Sequence, residues 1–172
     1  MNRSQTPFEL EAVFCAQYER IARLIAKVVR NHARAEELAV EVFLKLWRNR
    51  RAQGEKAEGW LYRTAIRIAL NELRTESRRN RYERLLGRAR GTPTPEELHA
   101  TAEEAERVRK VLSIIDPRKA ELILLRNQDL SYDELASALD LNPASVGTLL
   151  SRAHQAFRKE YMRRYGDESR TQ

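Results

Sequence analysis

Along most of the chain the apolar positions recur every three or four residues, which is the spacing of one face of a helix. In "AEELAVEVFLKLWRNR", Ala39, Val42, Phe43 and Leu46 fall at i, i+3, i+4 and i+7 and predict a core stripe. Val40, Leu44 and Trp47 make a second stripe at i, i+4 and i+7 on the same helix. Such a helix either sits at the centre of its domain or offers one stripe to a partner. Burial is expected for Phe43 and Leu46, and both outcomes stand open for Val40 and Leu44. In "EGWLYRTAIRIALNELRTESRRNRYER", Leu61, Ala65, Ile68, Ala69 and Leu73 are expected to face inward. Towards the C-terminus, Val146, Leu150, Ala153 and Phe157 recur at i, i+4, i+7 and i+11 and extend a core begun by Leu122, Leu125, Leu135, Ala136, Leu139 and Leu141. The opposite face of that last helix shows Ser145, Thr148, Ser151, Arg152 and Gln155. No run alternates as a half-buried strand would, so the expected fold class is all-α.

Helix starts are legible. Thr6-Pro7-Phe8-Glu9 and Thr94-Pro95-Glu96-Glu97 read T-x-x-E with Pro at the first helical position, and Ser131-Tyr132-Asp133-Glu134 reads S-x-x-E. In each, the hydroxyl is placed to cap an amide and the Glu to reach back. Asp116-Pro117 and Asn142-Pro143 are further cap-and-Pro starts. These signals predict helices at about 7–30, 34–50, 57–88, 95–115, 117–127, 131–139 and 143–164. The turn "DLNP" between the last two fits the short corner of a helix-turn-helix.

Charge divides the chain. The net charge is +7, but residues 1–91 carry 20 Lys and Arg against 11 Glu, while residues 92–105 carry four Glu and no Lys or Arg. The segment "GTPTPEELHATAEEAE" is therefore read as an acidic linker. The expected organisation is two small helical domains, 1–88 and 106–165, joined by a linker over 89–105 and followed by a tail over 166–172.

The basic excess is patterned. Arg63, Arg67, Asn71, Arg74 and Arg78 fall at i, i+4, i+8, i+11 and i+15, one continuous polar stripe, and Arg79, Arg81 and Arg84 extend the charge. A solvated face interleaves Glu with Arg to gain i,i+4 pairs. Here Glu72, Glu76 and Glu83 lie off the stripe. Concentrated Arg on one face suits phosphate neutralisation. Trp60 and Tyr62 stand at the head of that helix, where an aromatic ring beside a basic groove can stack on an unpaired base. The core is expected for Trp60, and both outcomes stand open for Tyr62.

Signals of catalysis are absent. His32, His99 and His154 lack metal-ligand spacing, and no phosphate-cradling glycine loop or Ser-His-Asp context is present, so no catalytic residue, metal or cofactor is expected. Cys15 is the only cysteine and is expected to be a small buried hydrophobe. No stretch approaches the roughly 20 apolar residues of a membrane span, and "MNRSQTPFEL" has no apolar core after its Arg, so a cytoplasmic protein is expected.

In combination, "AEELAVEVFLKLWR", "WLYRTAIRIALNELR", the acidic segment and "LSYDELASALDLNPASVGTLLSRAHQAFR" resemble the extracytoplasmic-function group of the sigma-70 family of sigma factors, over about residues 8–162. The resemblance implies a bacterial initiation factor of two helical domains, region 2 and region 4, with core RNA polymerase and promoter DNA as partners. Region 2 of that family docks on the β′ clamp helices, then melts and reads the minus-ten element. Region 4 sits on the β flap and reads the minus-thirty-five element in the major groove. The resemblance places Glu37, Val40, Glu41 and Leu44 at the β′ contact, with Trp47 completing the same stripe. It places Arg63, Arg67, Asn71 and Arg74 towards promoter DNA, and Ser145, Thr148 and Arg152 on the recognition helix. An anti-sigma factor is a common partner in that family.

The chain departs from the family pattern in places. Glu37 and Val40 stand where Asp and Gln are usual, Arg67 where an Asn lies near the flipped minus-ten base, Gly147 and Leu149 where Lys or Arg is common, and Asp140 where a turn Gly is common. The expected function is a non-catalytic promoter-specificity subunit. The rival readings are a stand-alone helix-turn-helix regulator and a sigma-like adaptor that has lost promoter reading.

Overall fold

A computed structural model describes residues 9–86 and 100–166. Its elements are α1 (Leu10–Val29), α2 (His32–Arg48), a 3-10 turn (Arg50–Ala52), α3 (Ala57–Leu85), α4 (Ala100–Ile114), α5 (Pro117–Arg126), α6 (Tyr132–Leu139) and α7 (Pro143–Tyr165), with no strand among the described residues. The starts at Thr6 and Thr94 lie outside the described residues, as does most of the acidic segment. Residues 100–105, expected as linker, form the first turns of α4.

The remaining caps form as their chemistry requires. The Asp116 carboxylate accepts from the Arg118 and Lys119 amides, and the Asn142 side chain from the Ala144 amide. At α6 the capping box is closed: the Ser131 hydroxyl accepts from the Glu134 amide at 3.2 Å and Glu134 accepts from the Ser131 amide at 2.7 Å. Ser131→Ala is expected to lower stability by about 1 kcal/mol, measured as a shift in the urea midpoint without a change in slope. A shift below a third of that means that α6 is held by its packing alone. The helix start at 34 is two residues late, because the Asn31 side chain accepts from the Arg34 amide and begins α2 at His32.

Asp140 ends α6 in the left-handed conformation, at φ 57°, with its amide on the Ala136 carbonyl. This is the conformation that a Gly adopts at no steric cost, and Asp is among the few other residues that tolerate it. Asp140 therefore takes the conformation that a turn Gly would take at this corner.

Helices α1, α2 and α3 pack on one another, α5, α6 and α7 form a second group, and α4 lies against α3 and α7. The two groups are not separate: α3 also packs on α5 and α6, and one apolar core runs through both. This explains why α3 is buried more broadly than one stripe allows. Leu61, Ala65, Ala69 and Leu73 are buried as expected, but so are Ile66 and Leu70, while Ile68 is only half-buried. Helix α5 is covered all round over Ala120–Leu125, and Glu121 is buried with its apolar neighbours.

Helix α4 is fastened by Arg109. Its Nε donates to the Val28 carbonyl at 2.7 Å and its Nη2 to the Val29 carbonyl at 3.2 Å and to Glu76 at 3.0 Å, and Nη1 pairs with Glu106. The carbonyls at the end of α1, which have no partner within their own helix, thus receive a cation at the negative end of the helix dipole.

Candidate functional site

Three surfaces carry the residues singled out in the sequence. The first is the outer face of α2. Ala39, Val42, Phe43 and Leu46 are buried, which turns the second stripe outward: Val40, Leu44 and Trp47 are 42, 45 and 59 % exposed. The open alternative for this stripe is thereby decided as solvent-facing. Glu37 and Glu41 flank it, each held by a neighbour on the same helix. Arg34 donates to Glu37 at 2.8 Å, and Lys45 lies 3.3 Å from Glu41. Arg34 also grips Glu72 of α3 through two bonds of 3.0 and 3.1 Å. That fork holds the Glu72 carboxyl below its ordinary range and fixes the angle of the stripe on the α1–α3 group.

The second surface is the Arg stripe of α3. Asn71 and Arg78 are exposed. Arg63 and Arg67 do not point into open solvent but towards the C-terminal helices. Arg67 Nε donates to Glu121 at 2.8 Å, Arg63 Nε lies 3.6 Å from the same oxygen, and Arg63 Nη1 donates to the Ala138 carbonyl at 3.1 Å. Burial holds the Arg74 guanidinium below its ordinary value, partly opposed by the Asp116 carboxylate. Tyr62 belongs to the core: it is buried, and burial pushes its phenol up. Its ring is therefore unavailable for stacking on a base in this arrangement. The helical phase explains this, since Tyr62 is one residue from Leu61 and four from Ile66, both buried. Trp60 is only half-buried against the core.

The third surface is the outer face of α7. Val146, Leu150 and Ala153 are buried and Phe157 half-buried, so Ser145, Thr148, Ser151, Arg152 and Gln155 all face out. Sequence reasoning missed Tyr132 here. Its exposed ring lies so close to α7 that a Cβ on Gly147 would sit 3.5 Å from Tyr132 Cε2, and the Arg126 guanidinium lies over it, 5.8 Å from the ring centroid. The apparent gap at Gly147 is thus bordered by an aromatic ring and a cation. Leu149 is half-buried, on the wall of a cleft.

That cleft joins the second and third surfaces. Arg63, Arg67 and Glu121 line one side and Arg152 and Gln155 the other, around about 840 Å³. Two faces that the sequence placed on separate domains therefore meet. Glu121 was missed as well. Its signal is a lone carboxylate in "AELILL", an apolar run with no polar face of its own. Among the described residues no group of three or more His, Cys, Asp and Glu side chains is placed to hold a metal ion. No described helix is long and apolar enough to cross a membrane. Cys15 is exposed, contrary to the buried hydrophobe expected, because it falls off the α1 core face that holds Ile21, Leu24 and Ile25.

Comparisons with known proteins follow the same division. The family model described as Sigma-70 region 2 matches residues 16–79, and the one described as Sigma-70, region 4 matches residues 105–156. The ECF RNA polymerase sigma factor SigE of Mycolicibacterium smegmatis is 24% identical over 159 residues, which are 88% of this chain and 60% of that protein. The ECF RNA polymerase sigma factor SigK of Mycobacterium tuberculosis is 28% identical over 160 residues, 86% of this chain and 83% of that protein. Among solved structures, the sigma factor RpoE in complex with the anti-sigma factor NepR from Bartonella quintana matches with a TM-score of 0.48 and 16% identity, over 87% of this chain and 94% of that one.

Proposed function

This chain belongs to the sigma-70 family of sigma factors, in its extracytoplasmic-function group, and on that footing we propose that it directs core RNA polymerase to a subset of promoters. Sigma factors are a non-enzymatic class, and this one supplies recognition while polymerase supplies catalysis. It acts in the cytoplasm, with core polymerase and promoter DNA as partners. Docking on β′ uses Val40, Leu44 and Trp47, with Glu37 and Glu41 at the rim. The minus-ten element is met by Arg63, Arg67, Asn71, Arg74 and Arg78, and the minus-thirty-five element by Ser145, Thr148, Ser151, Arg152 and Gln155.

The observation that carries this reading is the α2 stripe. Three large apolar side chains at helical spacing stay in solvent on a helix whose other face is fully packed. Exposed apolar patches of this kind mark protein contacts. A regulator that works without polymerase has no use for it. Of the five α7 residues assigned to the minus-thirty-five element, Arg152 is the one cation, so that set alone makes few phosphate contacts.

The direct test is reconstitution with core polymerase on a promoter library. Co-purification and a discrete set of start sites are expected, and their joint absence overturns the proposal. A finer test uses Arg67→Ala with Arg78→Ala. Promoter affinity of the assembled holoenzyme is expected to lose about two units of its salt-dependence slope, one for each phosphate contact removed, with core affinity unchanged. Loss of core binding instead means that the α3 stripe was assigned to the wrong partner.

A further inference from the structure

We propose that the cleft where the C-terminal ends of α3, α4 and α7 converge is a binding site for a nucleoside diphosphate. Its lining is Ser77, Arg81 and Leu85 from α3, Lys110 and Ile114 from α4, and Arg164 from α7, around about 650 Å³. That volume lies within the roughly 300–1,000 Å³ of small-molecule sites. None of these six residues belongs to the polymerase and promoter surfaces described above, so the inference does not depend on how those surfaces are assigned.

Helical register divides the lining into a cationic end and an apolar end. Ser77, Arg81 and Leu85 stand at i, i+4 and i+8 on one face of α3, and Lys110 and Ile114 at i and i+4 on α4. In both helices the polar residues come first and the apolar residue ends the helix. Lys110 Nζ donates to Ser77 Oγ at 3.2 Å, so the two polar starts meet across the cleft. Leu85 and Ile114 are 76 and 41 % exposed, which leaves two large apolar side chains in solvent on the walls of one cavity. Two apolar anchors are too few to seat a helix, which needs them at i, i+3 or i+4, and i+7. They are enough to cover the flat face of a base.

The charge is one-sided. Three cations line the cleft and no carboxylate does. On the same stretch of α3, Arg79 lies 4.0 Å from Glu83 and Arg78 donates to Thr75, whereas Arg81 has no ion-pair partner among the described residues. Arg164 Nε donates to Glu160 at 2.7 Å, but that carboxylate is shared with Arg163 and offsets only one of the two. A concave wall of one sign of charge raises the local concentration of the opposite ion. A terminal phosphate carries about two negative charges at neutral pH and a second phosphate about one more, which matches the three cations. The diphosphate therefore meets Arg81, Lys110 and Arg164, and the base rests on Leu85 and Ile114.

Calorimetric titration of the full-length chain tests this. The probes are adenosine diphosphate, guanosine diphosphate, inorganic pyrophosphate and a short single-stranded oligonucleotide, without magnesium. At least one diphosphate is expected to bind with a Kd below about 1 mM, and more tightly than pyrophosphate. Arg81→Ala should weaken that binding roughly tenfold, the worth of one charge-assisted bond. Arg79→Ala removes a charge from the same helix outside the cleft and should leave it unchanged. Leu85→Ala with Ile114→Ala should weaken the diphosphate severalfold and pyrophosphate not at all. All four positions are exposed, so the variants keep the fold, which helicity checks. No diphosphate binding at about 1 mM overturns the site. Equal losses from Arg79→Ala and Arg81→Ala overturn it as well, since the attraction is then to bulk positive charge. Pyrophosphate binding as tight as that of the diphosphates means that no base is held, and the ligand class is wrong. An oligonucleotide that displaces the diphosphate and is itself weakened by Arg81→Ala gives the cleft to a nucleic-acid strand instead.

Discussion

Replacing Leu44 and Trp47 together by Ala is expected to weaken core polymerase binding about 100-fold while leaving the fold intact. Both side chains are exposed, so truncation removes no packing from the α1–α3 core and the thermal midpoint should barely move. Binding is another matter. Trp in the centre of an interface is a common energetic anchor, and truncation of such residues costs about 2–4 kcal/mol. Rim charges contribute less. Glu37 and Glu41 are held by Arg34 and Lys45 on their own helix, so removing either acid should cost only a few-fold. Val40, where the family usually has Gln, enlarges the apolar centre of the stripe. Val40→Gln is thus a milder change than the loss of Trp47. Titration of labelled protein with core polymerase measures all of this. A double variant that binds within threefold of the wild type places the docking face elsewhere.

The largest loss of stability is expected at Arg109. Its side chain is 10 % exposed, and its donors serve the Val28 and Val29 carbonyls together with Glu76 and Glu106. Arg109→Ala strands the two carbonyls at the end of α1, while Glu76 and Glu106 reach solvent and Glu106 stays 4.0 Å from Arg30. Leaving buried carbonyls unpaired costs about 1–3 kcal/mol each, a large share of the stability of a small domain. Arg109→Lys keeps the charge but not the planar fork, and an intermediate loss is expected. Denaturant unfolding followed by circular dichroism reads both effects. A loss under 1 kcal/mol shows that α4 is held by Val111 and Leu112, not by the arginine.

The helices were readable because their signals are local. Capping side chains sit within three residues of what they cap, and the core stripes repeat at 3.6 residues. The exposed half of α2 was readable only as a choice, since two apolar stripes say that one is surplus without saying which surface takes it. The Arg stripe was readable in composition and register but not in its partner. Glu121 pairs with it across a separation of 54 residues, and nothing near Glu121 in the sequence marks it as facing arginines. Tyr62 and Tyr132 escaped the sequence for opposite reasons. Tyr62 stands beside a basic stripe, which suggests an available ring, yet its own helix group covers it. Tyr132 has the surroundings of an ordinary helix start, and only the tight turn through Asp140 brings α7 and its Gly147 up to the ring.

Gly147 also makes the protein open to redesign. It lies inside α7, the proposed recognition helix, where Gly costs about 1 kcal/mol relative to Ala. A side chain there would meet the Tyr132 ring at ordinary contact distance, so the position accepts one without disturbing the helix. Gly147→Ala is therefore expected to raise stability by up to about 1 kcal/mol, and neutral residues able to reach base edges, such as Asn or Gln, are the next substitutions to try. A single codon then becomes a dial for retargeting, on which new minus-thirty-five sequences can be selected while the rest of the scaffold is left alone.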